Sequence, residues 1–240
     1  MKRIFSTLLL VTLIAAPAFA AKYDLNITSA SNSMFEDVVK QAGTVIAYRG
    51  IAPAEPQGLT GFDVGVETSF FKVDEDVWKD VGTDVPAYLG VPKVHVRKGL
   101  PFGIDLGASY SMVPESNIKV IGGEIQYAIM DGSMALPALS VRGHYSTLLG
   151  VDDLDLKTYG ADAVVSKGFL FLTPYAGAGV MRSEGSYAGT DDNLKALEDQ
   201  SVTTPRVFGG VQIAIALLRL TLDAEFSDVP VYTAKVSLGW

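Results

Sequence analysis

The sequence has no cysteine and only two histidines among its 240 residues. An exported chain without disulfides is held together by its hydrophobic core or by a membrane. A lipoprotein is excluded as well, because lipidation needs a cysteine at the signal cleavage site. Two isolated histidines without cysteine partners make a weak metal site. The sequence therefore predicts no bound metal and no cofactor.

Residues 1–20 have the three parts of a secretory signal peptide. A basic start is followed by a short apolar run over residues 8–16, and the small-x-small sequence Ala-Phe-Ala ends at Ala20. The apolar run is far shorter than the roughly 20 residues that a membrane-spanning helix needs. We therefore expect export, with cleavage near Ala20 and a mature chain that begins at Ala21.

Basic residues are scarce. The chain has 19 Lys and Arg against 27 Asp and Glu, and removal of Lys2 and Arg3 with the signal peptide leaves 17, a formal charge of −10. Binding to phosphates needs a basic face. We expect no nucleic-acid partner.

Long hydrophobic runs are also absent after the signal peptide, where the longest covers only residues 213–218. The chain is nevertheless 48% hydrophobic and contains 24 glycines. A sequence that is apolar on average without apolar runs alternates between apolar and polar residues. Such alternation is typical of β-strands with two different faces.

Ten segments between Gly61 and Trp240 alternate in this way. Membrane strands take about 9–11 tilted residues, which fits about 180 residues divided among ten strands and their turns. The pattern is clearest in residues 102–112, 218–227 and 231–240. It is weaker in residues 61–70, 93–98, 122–130, 139–146, 157–166, 169–182 and 206–216.

The connections between these segments differ in length in a regular order. Short connections lie at residues 98–101, 131–137, 167–168 and 216–217. Longer, acidic loops lie at residues 72–86, 150–156 and 183–204, with short exceptions at 113–117 and 227–230. Short turns at one end and long loops at the other are typical of outer-membrane barrels. Counting back from Trp240 at the periplasmic end places the long loops outside.

Residues 21–60 do not follow the alternation. Asn32 and the serine after it predict the cap of a short helix that runs through Gln41 and ends at Gly43. Residues 43–50 look strand-like, and a proline-broken connector follows. We interpret this region as an N-terminal plug or periplasmic helix that precedes a barrel over residues 61–240. A barrel with two further strands, twelve in all, is the alternative.

The character of the two faces favours a membrane barrel over a soluble one. The polar face is rich in Gly and Ser, whereas the apolar face carries aromatic residues near strand ends. Tyr and Trp suit the membrane interface, where one end of the side chain is apolar and the other is hydrated. The aromatic residues in question are Phe102, Tyr110, Tyr127, Tyr145, Tyr159, Tyr232 and Trp240. The predicted fold class is therefore all-β, a transmembrane antiparallel up-and-down barrel.

The last ten residues, VYTAKVSLGW, combine alternation with Tyr232 and a C-terminal Trp240. This strand resembles the signal by which the outer-membrane assembly machinery recognises its substrates. The preceding chain resembles small Gram-negative outer-membrane barrels, and residues 47–66 resemble a motif of an uncharacterised proteobacterial family. The resemblance implies location in the cell outer membrane, with outer-membrane lipid, lipopolysaccharide and the assembly machinery as partners. It implies no activity.

The polar face carries ionisable residues of both signs, which we expect to line the lumen. One interpretation is a salt-bridged interior that stiffens a narrow, filled barrel, since unpaired charges in a confined space are costly. The other is a channel whose lining selects a solute. The residues are Asp63, Glu67, Lys93, His95, Arg97, Asp105, Glu124, Arg142, His144, Asp162, Arg219, Asp223, Glu225 and Lys235.

Catalysis is not expected, because His95 and His144 are accompanied by no nucleophile in a recognisable motif. The sequence thus predicts an integral outer-membrane barrel with a narrow-channel or a structural and surface role. Two alternatives stay open. One is an outer-membrane enzyme that acts on lipid through a histidine, and the other is a soluble periplasmic barrel that binds a ligand as lipocalins do.

Overall fold

The computed structural model describes residues 27–28, 30–80, 87–112 and 118–240. The expected signal peptide with its cleavage site, and the short loop at 113–117, lie outside the described residues. Across the described residues, no helix is both long enough and apolar enough to cross a bilayer.

The described residues form ten strands that close into one antiparallel barrel, in which each strand pairs with its sequence neighbours and β1 pairs with β10. The up-and-down barrel predicted from the alternation is confirmed. The strands are β1 Phe62–Lys72, β2 Tyr88–Gly99, β3 Ile104–Met112, β4 Lys119–Met130, β5 Ala138–Leu149, β6 Leu154–Ser166, β7 Leu172–Tyr187, β8 Gln200–Ile215, β9 Leu218–Phe226 and β10 Val231–Gly239.

The closing seam joins the first strand to the C-terminus of the chain. Phe62 and Trp240 exchange two backbone hydrogen bonds, at 3.2 and 3.1 Å. Their rings meet edge-on with centroids 3.7 Å apart. Val66 then lies opposite Val236 in the middle of the seam. Closure leaves no unpaired strand edge, which is the condition for a sheet that contacts lipid.

Strand ends differ from the sequence prediction at several places. β3 begins at Ile104, because Phe102 lies in a tight turn with φ 65° instead of on the apolar strand face. β7 and β8 have 16 residues each, so the loop between them covers only 188–199. The loop after β1 contains a short helix, α2 (Glu75–Asp80), which the sequence did not reveal.

The N-terminal helix is longer than predicted. Helix α1 covers Asn32–Ile46, and its N-cap is Ser31, whose hydroxyl accepts a hydrogen bond from the Met34 amide at 3.3 Å. Gly43 does not end the helix but lies within it. The strand-like interpretation of residues 43–50 and the twelve-strand alternative are both wrong, since the described residues before β1 contain no strand.

Helix α1 lies at the long-loop end of the barrel, which is the end that carries the connections 73–87, 150–153, 188–199 and 227–230. Its apolar side packs into a buried cluster with Trp78 of α2, Leu154 of β6 and Leu194 of the loop between β7 and β8. The opposite, short-turn end carries the connections 100–103, 131–137, 167–171 and 216–217. The main hydrophobic core therefore closes the long-loop end.

Candidate functional site

Side chains of the strands alternate between an apolar exterior and a polar interior. In β10, Tyr232 is 52% exposed on the outside, whereas Lys235 is 0% exposed on the inside. The outward residues of the other strands are mostly Val, Leu, Ile, Phe and Tyr. A barrel that is apolar outside and polar inside is the reverse of a soluble barrel, and it is stable only with lipid around it. The soluble ligand-binding alternative does not fit this surface.

The structure places the ionisable residues of the polar face inside the barrel, where nearly all are buried. Arg219, close to the short-turn end, is the most exposed of them, with an 18% exposed side chain. Among the described residues, the lumen holds seven basic and eight acidic side chains, so its formal charge is nearly balanced. They are Arg49, Lys93, Arg97, Arg142, Arg206, Arg219, Lys235, Glu55, Asp63, Glu67, Asp105, Glu124, Asp162, Asp223 and Glu225.

Neighbouring strands supply oppositely charged partners. Glu67 of β1 forms an ion pair with Lys93 at 3.2 Å and lies 3.3 Å from His95, and both of these residues are on β2. Across the seam, Asp63 pairs with Lys235 of β10 at 2.6 Å. The Glu67–Lys93 pair follows from the register, in which the two residues are opposite each other. Asp63 is opposite Gly239 in the seam, and the Lys235 side chain reaches it from a position opposite Glu67. A buried charge without a partner is strongly destabilising, and this arrangement avoids it.

Further pairs continue the network to β3 and β9. Arg97 donates to Asp105 at 2.9 Å, and its Nε lies 3.6 Å from Glu124 of β4. Asp223 of β9 accepts a hydrogen bond from the Tyr175 hydroxyl at 2.7 Å.

Arg206 of β8 makes the most polar contacts of these residues, and it is absent from the lumen lining predicted from the sequence. Its guanidinium donates to both carboxylate oxygens of Asp162, at 2.9 and 2.5 Å, and to Glu225 at 3.3 Å. One nitrogen also lies 2.8 Å from His144 Nε2. A fifth contact runs to the backbone carbonyl of Tyr48 at 3.2 Å. Arg206 thus joins three strands of the wall to the N-terminal segment.

Residues 47–57, which we name the lumenal segment, run through the barrel interior without regular secondary structure. Arg142 of β5 donates to three of its backbone carbonyls, those of Gly50 at 2.5 Å, Ala52 at 2.6 Å and Pro53 at 2.9 Å. The same guanidinium donates to Gln126 Oε1 at 2.7 Å. An irregular backbone in a buried place needs partners for its polar groups. Here one arginine satisfies three of them.

Other strands satisfy further backbone groups of the lumenal segment. Lys235 donates to the Ile51 carbonyl at 3.3 Å, and Gln126 donates to the Ala54 carbonyl at 3.1 Å. The Ala54 amide donates to the Ser166 hydroxyl at 2.9 Å, and the Gln57 amide donates to Asp105 at 3.1 Å. The donors and acceptors come from β3, β4, β6 and β10, on all sides of the barrel. The wall therefore encloses the segment.

Arg49, Tyr48 and Glu55 of the lumenal segment also bind the wall through their side chains, and Glu55 accepts from the Ser166 hydroxyl at 2.8 Å. Arg49 donates to Glu225 at 3.0 Å and to the carbonyls of Thr44 and Ala47 at 2.7 and 3.0 Å. The Tyr48 hydroxyl lies 3.0 Å from His95 Nε2. A Cβ at Gly107 of β3 would lie only 2.5 Å from that hydroxyl oxygen, so glycine leaves the room that Tyr48 occupies.

Glycines also allow α1 to approach the wall closely. A Cβ at Gly43 of the helix would lie 2.1 Å from the Ser183 hydroxyl of β7. On the strand, a Cβ at Gly185 would lie 2.4 Å from a methyl group of Val39. The glycine that seemed to end the helix is therefore a packing residue.

The chain passes through the barrel from one end to the other. Asn32 at the start of α1 accepts from the Glu198 amide, in the loop between β7 and β8, at 3.0 Å. At the other end, the Gly99 amide donates to the Gly61 carbonyl at 3.1 Å, just before β1 begins. Near this mouth, a cavity of about 110 Å³ is lined by residues that include Pro53, Glu55 and Arg219.

The two histidines are structural members of this interior. His95 lies between Tyr48 and Glu67, and His144 lies beside Arg206 and Asp162. Both are buried inside the wall, whereas lipid chains contact the outside. In the described part of the chain, no group of three or more His, Cys, Asp or Glu side chains is placed to hold a metal ion.

No family model and no curated protein sequence matches the chain. Solved structures with a similar fold include Ail, the attachment invasion locus protein of Yersinia pestis, at 14% identity and a TM-score of 0.32, covering 75% of this chain and 95% of Ail. The outer membrane protein Omp33 of Acinetobacter baumannii matches at 7% identity and a TM-score of 0.33, covering 77% and 100%. LpxR from Salmonella typhimurium matches at 10% identity and a TM-score of 0.39, covering 75% and 99%. Similarity at this level describes neither a shared family nor a shared activity.

Proposed function

We propose that this chain is an outer-membrane barrel sealed by its own N-terminal segment, with a structural and surface role instead of solute conduction. The observation that carries the proposal is the lumenal segment, whose backbone is bound by Arg142, Arg206, Lys235 and Gln126. A conducting pore needs a continuous water-filled path. Here the path is occupied by the chain itself and by paired charges.

The balance of charge inside the barrel supports the sealed state. Selective pores carry an excess of one sign along their lining, which attracts the conducted ion or solute. This lumen has seven basic and eight acidic side chains, so neither sign is in large excess, and most of them lie within ion-pair distance of a partner. Such an interior stiffens the barrel and offers little to a passing solute.

The long-loop end gives this sealed barrel a firm outer surface. Helix α1 packs against Trp78 and Leu194, and the Gln41 side chain accepts from the Asp74 amide at 3.1 Å and from Trp78 Nε1 at 3.2 Å. These contacts tie α1 to α2 and to the loop between β7 and β8. We infer that the function of the chain lies in what this surface contacts, with lipopolysaccharide around it.

Export and assembly complete the proposal. Residues 1–20 would direct the chain across the inner membrane and be removed. Tyr232 and Trp240 point outward from the last strand, where the assembly machinery can contact them before the seam closes. We assign no catalysis to the chain, and replacing both His95 and His144 is expected to leave lipid profiles unchanged.

Planar-bilayer recording of the chain that begins at Ala21 tests the sealed state. We expect no steady conductance, because the lumenal segment blocks the path. Deletion of residues 32–57 provides the matched control and is expected to conduct, since it empties the lumen. Should that variant not fold, Arg142→Met together with Arg206→Met loosens the segment and should produce brief openings. Steady, long-lived conductance of the unaltered chain would overturn the proposal.

A further inference from the structure

The short turns carry large apolar side chains at their tips. Leu170 is 102% exposed, Met134 is 100% exposed and Phe102 is 89% exposed, and each lies in a different turn. Isolated apolar residues on a surface are ordinary, whereas a contiguous exposed set marks an interaction site. We name the set the apolar rim; it consists of Leu59, Phe102, Met134, Leu136, Phe169, Leu170, Phe171, Leu217 and Trp240.

The apolar rim surrounds the barrel. Its members come from the turns after β2, β4, β6 and β8, and from both chain ends of the seam. A protein partner docks on one side of a molecule and needs a patch there. A ring on all sides instead fits a partner that surrounds the barrel, as a lipid leaflet does.

The rim is also continuous with the lipid-facing wall. Val165 points outward from β6 just before the turn that carries Phe169 and Leu170, and Ile129 points outward from β4 just before the turn that carries Met134. The apolar surface of the wall therefore does not stop where the strands end. It extends over the turn tips.

The turns satisfy their own backbone, as burial in lipid requires. The Lys167 ammonium donates to the carbonyls of Ser133 at 2.8 Å, Met134 at 2.7 Å and Leu136 at 3.2 Å. Phe169 and Leu172 exchange two backbone hydrogen bonds, at 2.7 and 2.9 Å. The carbonyls bound by Lys167 therefore do not depend on water for a hydrogen-bond partner.

Backbone strain at the tips supports the same conclusion. The non-glycine residues that the described chain holds at positive φ are Phe102 (65°), Leu170 (56°) and Ala216 (54°), each in a different short turn. Side chains with a Cβ rarely adopt this conformation, and strained positions gather where a function requires them. At Phe102 and Leu170 the positive-φ backbone conformation places a large apolar side chain at the tip of a tight turn.

We propose that the apolar rim is inserted among the phospholipids of the inner leaflet, so that the short-turn end is anchored in lipid instead of projecting into the periplasm. This inference rests on the proposed outer-membrane barrel and adds how deeply the short-turn end of the barrel lies in the bilayer. Phe and Leu side chains bury apolar area in the leaflet.

Single-cysteine labelling suits the test, since the chain has no cysteine of its own. A polarity-sensitive dye is attached to Leu170→Cys and, in a second variant, to Met134→Cys; both side chains are fully exposed, so neither change removes packing. Val180→Cys on the outer wall and Asp192→Cys in the loop between β7 and β8 are the controls. Each chain is reconstituted into phosphatidylethanolamine–phosphatidylglycerol vesicles, with folding checked by heat-modifiable migration.

Two quenchers then locate each dye: a nitroxide on the lipid acyl chain, and iodide present on both sides of the bilayer. We expect the dyes at 170 and 134 to be quenched by the nitroxide as the dye at 180 is. Their iodide quenching should be several-fold lower than that of the dye at 192.

If iodide quenches both tip dyes as strongly as the dye at 192, while the nitroxide lipid still quenches the dye at 180, the insertion of the rim is overturned and the membrane barrel is not. The rim would then be free in water for a protein partner. Iodide quenching of the dye at 180 would instead overturn the membrane barrel itself.

Discussion

Replacing Arg142 with methionine removes the side chain that binds the lumenal segment most extensively. Methionine keeps much of the length and apolar volume of the arginine stem but has no donor. The change abolishes four hydrogen bonds, to the carbonyls of Gly50, Ala52 and Pro53 and to Gln126 Oε1. It leaves three buried carbonyls without these donors and Glu124 with less compensating charge.

The expected loss of stability follows from these contacts. A hydrogen bond to a charged group contributes about 1.5–3 kcal/mol. The stability contributions of four bonds from one guanidinium are not additive, because the guanidinium is desolvated only once. Removing one partner from a buried charged network costs about 3–5 kcal/mol. We therefore expect Arg142→Met to lower the free energy of unfolding by about 3–5 kcal/mol.

Arg182→Met is the matched control, since it makes the same substitution on the outer surface. Arg182 is 47% exposed and pairs with Glu184 at 3.4 Å. Such exposed pairs contribute about 0–1 kcal/mol. Urea unfolding in phospholipid vesicles, followed by tryptophan fluorescence, measures both variants. If both lose the same small amount of stability, Arg142 does not hold the segment and the sealed lumen is misassigned.

Two further changes test helix α1. Ser31→Ala removes the N-cap hydrogen bond to Met34 and should lower stability by about 1 kcal/mol. Ser33→Ala, two positions further, removes a hydroxyl that lies 3.0 Å from Ser31 Oγ but leaves the cap bond to the backbone, so it should change stability much less; urea unfolding compares the two. Equal effects would argue against the cap. Gly43→Ala should lower stability by about 1–3 kcal/mol because its methyl group would overlap Ser183, although alanine favours helix in isolation; a stabilised variant would contradict the close packing.

The strands and their faces could be predicted because lipid and lumen act on opposite sides of each strand. This produces a two-residue alternation that the sequence shows directly, as in Tyr232 and Lys235 of β10. The pattern was weak in β8, where Gly209 and Gly210 interrupt it. For that reason Arg206 was not recognised as an inward residue, although it lies two positions before Phe208 on the same face.

The path of the lumenal segment could not be predicted from the sequence. Its contacts join residues that are far apart in the chain: Arg142 and Gly50 are 92 positions apart, and Lys235 and Ile51 are 184 apart. The bonds run to backbone carbonyls, which every residue has, so no side-chain pattern in the segment indicates them. Only the closed barrel brings these donors around the segment.

Helix α1 shows how a local rule can be overridden by packing. Glycine is common just after the last residue of a helix, so the sequence predicts that the helix ends at Gly43. In the folded chain, Ser183 and Thr158 of the wall lie directly beside Gly43, so glycine is needed for contact instead of for termination. The helix continues to Ile46, where its last residue enters the buried cluster.

The central claim is that the N-terminal segment lies inside the barrel, and a disulfide between helix and wall tests it most directly. An ideal Cβ at Gly185 lies 3.3 Å from the Cβ of Val39, close to the separation that a disulfide needs. In a chain with no other cysteine, Val39→Cys with Gly185→Cys should oxidise nearly completely in outer-membrane preparations, as measured by mass spectrometry. Val39→Cys with Ser186→Cys, whose side chain points outward, should not. Equal cross-linking in both variants, or none in the first, would contradict a barrel filled by its own N-terminus.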